Sequence, residues 1–348
     1  MGSYEMKKIL LLQFRGLGDV LLTTPVIRTL RKAYPSSYLC YLLEREASGV
    51  LEGNPYIDEI IVFDRKGSGR SGRLARYLNQ VRMIREIRSR EFDVMIDLFS
   101  TTRSALWTYL SQAPVRVGRR LRARNFCYSV LMERGQWSGN AIDQHLQAAV
   151  SLGVVPDGRK TELYLSREER SRARDLLGKA GVEGSEPVVA LFVGGAHPSR
   201  IWPLDRFRSL AVTLVRKNKL KVLALAGPQE LPRLDTIMTA FDDVGPVLAN
   251  LSVRELAGVL EHVDLLVSSD SGPMHMGVAV STPTVGIFGP RDERVWFPYS
   301  SAQGHVALRK PVSCSPCSRL DCSHHLCMQS IHVQDVMAAI DYSMESRR

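Results

Sequence analysis

At 348 residues, 45% hydrophobic and 24% charged, the chain is too apolar to be disordered and long enough for two domains of ordinary size. It has no fixed-period repeat or low-complexity tract, which excludes solenoids and collagen-like chains. The net charge of +10 is uneven: residues 1–165 carry 25 Lys+Arg against 16 Asp+Glu, and residues 166–348 carry 21 against 20, so the first half favours an anionic partner.

The apolar run Ile9 to Leu12, with Lys7 and Lys8 before it and Gln13 and Arg15 close behind, is too short for a signal-peptide core. Its continuation to Phe14 predicts a buried strand, Arg15-Gly-Leu-Gly-Asp19 a tight loop, and Val20 to Tyr34 a helix. Strands are expected at Tyr38 to Leu43, Asp58 to Phe63, Asp93 to Leu98 and Pro114 to Val117, with helices over Arg73 to Arg90, Thr102 to Gln112 and Ala141 to Leu152. The segment Pro156 to Glu186 is polar and reads as a domain boundary. Strands at 187–193, 220–226, 263–268 and 284–288 then alternate with helices at 203–217, 230–240, 252–260 and 273–280. Near-continuous apolar strands alternating with helices predict parallel sheets covered on both faces. The expected fold is α/β, two doubly wound Rossmann-like domains at 1–165 and 166–332 with a ligand cleft between the carboxyl ends of their sheets. A final helix within 333–348 could pack back on either domain, the N-terminal one included. Ser271 to Pro290 lacks charge over bilayer length, but Pro273, Gly277, Pro283, Gly286 and Gly289 interrupt it, so it reads as core and the protein as cytoplasmic.

Gly16-Leu-Gly18 opens a helix after a strand, but the third glycine of a dinucleotide fingerprint falls at Leu21, so a nicotinamide site is weakly supported. Asp19 in that loop is either a helix cap or a general base beside an incoming hydroxyl. The stretch Val263 to His275 runs a hydrophobic strand into Asp270-Ser-Gly-Pro-Met-His275, where free N–H groups at a helix start, the Ser271 hydroxyl and the open Gly272 suit a phosphate. Two further strand ends point the same way. Gly194-Gly195 to Arg200 offers amides and a guanidinium, and Gly227-Pro-Gln-Glu230 places a carboxylate where a ribose could be held.

Nine basic residues between Arg65 and Arg90 face only Glu86, and Arg116, Arg119, Arg120, Arg122 and Arg124 follow a strand end. The second group is the better candidate for an anionic acceptor, because a loop there can reach a cleft. Cys314, Cys317, Cys322 and Cys327, with His324 and His325, could hold a structural metal, yet the spacing lacks the second C-x2-C of a zinc ribbon; a loop of free thiols is the plainer reading.

The run Ile9 to Arg28, the Trp202-Pro203 loop, and Ser269 to His275 followed by Gly286-Ile-Phe-Gly-Pro290 together resemble the heptosyltransferases of glycosyltransferase family 9 over nearly the whole chain. The Thr-Pro-Val-Ile start and the cysteine-bearing tail look most like the branch that adds later core heptoses. The resemblance implies a GT-B fold and inverting transfer of heptose from ADP-L-glycero-D-manno-heptose to the inner core of lipopolysaccharide, without a cofactor or catalytic metal. It implies that Asp19 is the base, that Asp270, Ser271, Gly272 and His275 surround the donor diphosphate and sugar, and that Glu230 holds the ribose. Arg200 stands two residues before Trp-Pro where compared members carry lysine, keeping the charge with a different reach. The implied partners are the donor, the lipid-anchored core and the anionic inner membrane, contacted peripherally. A GT-B enzyme with another donor, or a nucleotide-sugar epimerase, would share the phosphate loops. A basic nucleic-acid-binding protein would explain the charge, but none of its usual modules is present, so no nucleic acid is expected.

Overall fold

The computed structural model describes residues 7–64, 72–121, 123–132, 139–182, 184, 186–317, 319 and 321–346. Arg65 to Arg70 and Arg122 of the two basic groups lie outside the described residues. The chain divides into two compact units, Met1–Glu162 and Leu163–Arg348.

In the first unit β1 (Lys8–Leu12), β2 (Tyr38–Glu44), β3 (Glu59–Phe63), β4 (Val94–Asp97), β5 (Val115–Arg119) and β6 (Val130–Met132) form one parallel sheet in the order β3-β2-β1-β4-β5-β6. β1 lies between β2 and β4, pairing Leu10 with Cys40 and Met95, and Ile9 to Leu12 have no exposure. Helices α1 (Leu17–Leu21), α2 (Thr24–Ala33), α3 (Arg73–Ser89), α4 (Thr102–Leu110) and α5 (Ala141–Val150) connect the strands. One face buries Leu10, Leu12, Phe14, Phe63, Met83 and Trp107 in a shared cluster.

The single helix expected over Val20 to Tyr34 is instead two. Pro25 has no N–H for the Leu21 carbonyl, so Thr24 Oγ1 donates to that carbonyl at 2.8 Å while Thr23 Oγ1 donates to Val20 O at 2.7 Å, and the chain bends there. From α2 the buried Arg28 holds the end of this unit, with Nε donating to Asp157 Oδ2 at 2.9 Å and Nη1 to Glu162 Oε2 at 2.6 Å.

In the second unit β7 (Val188–Phe192), β8 (Lys221–Ala226), β9 (Val247–Ala249), β10 (Leu265–Ser269), β11 (Thr284–Phe288) and β12 (His305–Arg309) form a second parallel sheet in the order β12-β11-β10-β7-β8-β9. Numbered from its own first strand, each sheet runs 3-2-1-4-5-6, the doubly wound order whose direction reverses between strands one and four. The helices are α6 (Arg167–Lys179), α7 (Leu204–Asn218), α8 (Leu234–Phe241), α9 (Val253–Glu261), α10 (Gly272–Ala279), α11 (Glu293–Trp296), α12 (Leu326–Gln329) and α13 (Val333–Glu345). The helix expected over 230–240 begins late: its first residues belong to a 3-10 turn, Pro228–Arg233, that contains Pro232, and α8 starts only after it. α13 packs into the second unit's own core through Val336, Ala339 and Ile340.

Candidate active site

Each sheet reverses its strand order at one place, and the carboxyl ends of the two strands there open a crevice. In the first unit those strands are β1 and β4. Gly16 follows β1 with φ +90°, and a Cβ on it would stand 2.1 Å from Asp19 Oδ2, so only glycine allows the Asp19 carboxylate to fold back over this turn. Asp19 is the third residue of α1, whose N-cap is Gly16; it does not occupy the cap position and remains half-buried. Nearby, Tyr41 and Thr23 share a 2.7 Å hydroxyl hydrogen bond. Burial pushes the Tyr41 phenol upward and the Asp19 charge adds to this, so Tyr41 stays protonated.

At the end of β4, Asp97 is fully buried and fully used. Its Oδ1 accepts from Phe99 N at 3.0 Å and Ser100 N at 2.7 Å, and its Oδ2 from Tyr128 OH at 2.7 Å. Burial still raises its pKa above the usual carboxylate range. Burial lowers the Arg119 pKa, with the Asp97 charge opposing that shift. His145 is driven down to about 3 by burial and then by Arg119, so it is neutral.

The other arginines of this group have different surroundings. Arg116 donates from Nε to Cys127 O at 3.0 Å and from Nη1 to Ala113 O at 2.6 Å; Arg124 donates to Ser100 O at 3.1 Å. Arg120 is exposed. A cluster that the sequence reading missed stands at the ends of β1, β2 and β3: Arg103 lies 4.2 Å over the Phe14 ring and donates to the buried Glu44 at 2.6 Å.

In the second unit the crevice opens after β7 and β10. The buried Glu230 accepts from Gly195 N at 3.1 Å and from Gly227 N at 3.0 Å, tying the two glycine loops together. A Cβ on Gly194 would lie 2.2 Å from the Glu230 carboxyl carbon, which explains that glycine. Asp270 follows β10, 4% exposed, with Oδ2 at 3.7 Å from Arg200 Nη1 and 3.6 Å from Arg291 Nε. Asp270 Oδ2 and Arg200 Nε are buried without a hydrogen-bond partner. Burial raises the Asp270 pKa, while Arg291, Arg200 and His197 oppose it.

Arg291 also stacks on Trp296 at 3.4 Å. The sequence reading passed over it, although it directly follows the Gly289-Pro290 turn at the end of β11, where such a group would be sought. Ser271 is the N-cap of α10 with no side-chain cap bond; its hydroxyl shares a 3.0 Å hydrogen bond with Ser268. His275 in α10 is held at about 3 by burial and then by Arg291, and its Nδ1 stands 2.7 Å from Tyr299 OH. Two guanidinia facing one carboxylate beside an uncapped helix start leave positive potential for a diphosphate.

The cysteine loop lies directly behind these arginines. Ser315 Oγ donates to Gly289 O at 2.5 Å, Cys317 N to Pro290 O at 2.8 Å, and Ser199 Oγ to Arg319 O at 2.9 Å, bracing the turns that carry Arg291 and Arg200. Cys314, Cys317, Cys322, Cys327 and His324 line a cavity of about 230 Å³, and all four sulfurs are free thiols. Among the described residues no three His, Cys, Asp or Glu side chains are grouped so as to hold a metal.

The family model described as glycosyltransferase family 9 (heptosyltransferase) matches residues 80–327. The lipopolysaccharide heptosyltransferase 3 of Escherichia coli is 25% identical over 295 residues, covering 82% of this chain and 84% of its own. Among solved structures, a glycosyltransferase family 9 protein from Veillonella parvula superposes with a TM-score of 0.83 at 24% identity, covering 99% of both chains. The E. coli heptosyltransferase WaaC with ADP-2-deoxy-2-fluoro heptose gives 0.71 at 19% identity, covering 96% of this chain and 99% of the other. The fold is therefore of the GT-B type, the α/β architecture expected from the strand pattern. The chain belongs to glycosyltransferase family 9 and is a glycosyltransferase of the heptosyltransferase kind. Among the described residues no helix is long and apolar enough to cross a membrane.

Proposed function

We propose that the protein transfers heptose from ADP-L-glycero-D-manno-heptose to the inner core of lipopolysaccharide, working beside an anionic membrane surface. The observation that carries the donor half is the pair Arg200 and Arg291 around the buried Asp270 at the start of α10. These guanidinia and the α10 amides neutralise the diphosphate as it leaves. Asp19 takes the proton of the acceptor hydroxyl while its oxygen attacks the anomeric carbon from the face opposite the diphosphate. The new C–O bond forms as the old one breaks, the bonding pair leaves with ADP, and the configuration inverts. Neutral His275, Ser271 and Gly272 line the sugar and phosphates, and the chemistry uses no cofactor or catalytic metal. Glu230 exchanges an amide partner for a ribose hydroxyl when the nucleotide enters. Arg120, Arg122 and Arg124, with Arg116 and Arg119, serve the acidic acceptor.

Two measurements test this reading. Mass spectrometry with ADP-heptose and a panel of truncated core acceptors should detect a heptosylated product, whereas consumption of the nucleotide sugar without acceptor would favour an epimerase. In calorimetry, Arg200→Ala and Arg291→Ala should each weaken ADP by about tenfold or more while leaving adenosine within about twofold, since a charge-assisted bond to phosphate is worth roughly 1.5–3 kcal/mol. Equal losses for both ligands would remove the arginines from the diphosphate.

A further inference from the structure

α4 is apolar on both sides. Its inner side buries Ala105 and Trp107, as a helix against a sheet must. Its outer side carries Leu106, Tyr109 and Leu110, spaced i, i+3 and i+4 on one face and 49%, 47% and 37% exposed. Phe126, 70% exposed on the following short turn, meets Tyr109 edge-on at 5.9 Å and extends the same patch. Four large apolar side chains gathered in water mark a contact surface.

The charges around this patch identify what covers it. Residues 98–132 contain six arginines and no Asp or Glu. Hydrogen bonds fix two of them at the patch: Arg124 to Ser100 O and Thr102 Oγ1 at the start of α4, and Arg116 to Cys127 O beside Phe126. A second copy of the chain is a poor occupant, because a two-fold contact would set this arginine-rich segment against itself. Nucleic acid would satisfy the arginines but leave Leu106 and Leu110 facing phosphates.

We infer that the outer face of α4, with Phe126, docks on the surface of an anionic lipid bilayer, the apolar side chains entering the headgroup boundary and the arginines meeting lipid phosphates. The inference deepens the proposed function and rests on its lipid-anchored acceptor for biological meaning. The binding itself is tested separately.

The full chain should co-sediment with vesicles containing phosphatidylglycerol and leave vesicles of phosphatidylcholine alone in the supernatant, with binding weakened as salt rises. Leu106→Ser with Leu110→Ser should lower the partition coefficient by about tenfold or more. Circular dichroism and ADP calorimetry on this variant should match the parent. Phe126→Trp gives a second readout in an otherwise unaltered patch: its emission should shift to the blue on adding the anionic vesicles. Absence of binding, equal partition of parent and double variant, or a concentration-dependent dimer abolished by the double variant would each overturn the proposal. Loss of ADP binding with vesicle binding retained would count against the donor reading alone.

Discussion

Asp19 and Asp97 occupy the ends of neighbouring strands, yet their surroundings give them opposite characters. Asp97 is saturated by two amides and a phenol, whereas Asp19 is half-buried and folded over a glycine that admits no side chain. Asp19→Asn should therefore leave the fold and ADP binding intact and lower the transfer rate by about 10²–10⁴-fold, the usual cost of removing a general base. Turnover within a few-fold of the parent, in a variant with unchanged circular dichroism, would reduce Asp19 to a favourable charge in the first turn of α1. The sequence singles out Asp19 by its place after an apolar strand and beside two glycines, as a cap or a base. The engagement of Arg116 was not legible there, because a run of arginines reads alike whether the side chains meet carbonyls or water. Arg291 escaped for the opposite reason: one arginine after Gly-Pro carries no pattern, and only the packing of β11 beside β10 brings it to Asp270.

At the level of elements, the strands of both sheets were readable because strands buried on both faces are apolar almost throughout. The short edge strands β6, β9 and β12 were missed, since three to five half-buried residues show little period. α6 was missed inside a segment that its polarity marked as a linker, although Ser166-Arg-Glu-Glu169 spells a capping box, and both of its reciprocal hydrogen bonds are present. Glu169 from that box also clasps Arg254 of α9, with Nε to Oε1 at 2.7 Å, and the Arg254 hydrogen bond holds its pKa down at about 2 from an ordinary 4.5. The clasp thus contributes its full stabilisation above about pH 4.5, and that contribution disappears as the pH falls toward 2. Urea titrations should show Glu169→Gln less stable than the parent by on the order of 2 kcal/mol at pH 7, with the difference shrinking toward pH 2. A difference that stays constant over that interval would show that the clasp is energetically silent. The cysteine loop makes a different prediction. Its grip on the arginine turns runs through Ser315, a main-chain amide and Ser199, none of which uses sulfur. Cys314→Ser with Cys317→Ser should keep turnover per folded molecule within about twofold, while Ser315→Ala should weaken ADP by about three- to tenfold through loss of one hydrogen bond. Stoichiometric zinc in protein purified without added metal, with turnover lost on its removal, would reverse that order.

The whole molecule repeats one winding twice, and the repetition makes the differences between its units informative. An acid stands at the end of the fourth strand of each sheet, Asp97 as the last residue of β4 in one unit and Asp270 just after β10 in the other. Only the second keeps an oxygen without a hydrogen-bond partner and has two guanidinia within 4 Å. The charge asymmetry of the sequence, so visible in the first unit, therefore does not mark the proposed nucleotide site: that unit carries the excess of basic residues, but the acid at its crevice is already saturated by Tyr128 and two loop amides. A duplicated architecture suggests two equivalent nucleotide seats. The saturated Asp97 breaks that symmetry, so calorimetric titration should saturate at one ADP per chain, and Tyr128→Phe, which frees one oxygen of Asp97, should leave that stoichiometry at one. A second equivalent of ADP bound with comparable affinity would mean that the first unit also holds a nucleotide.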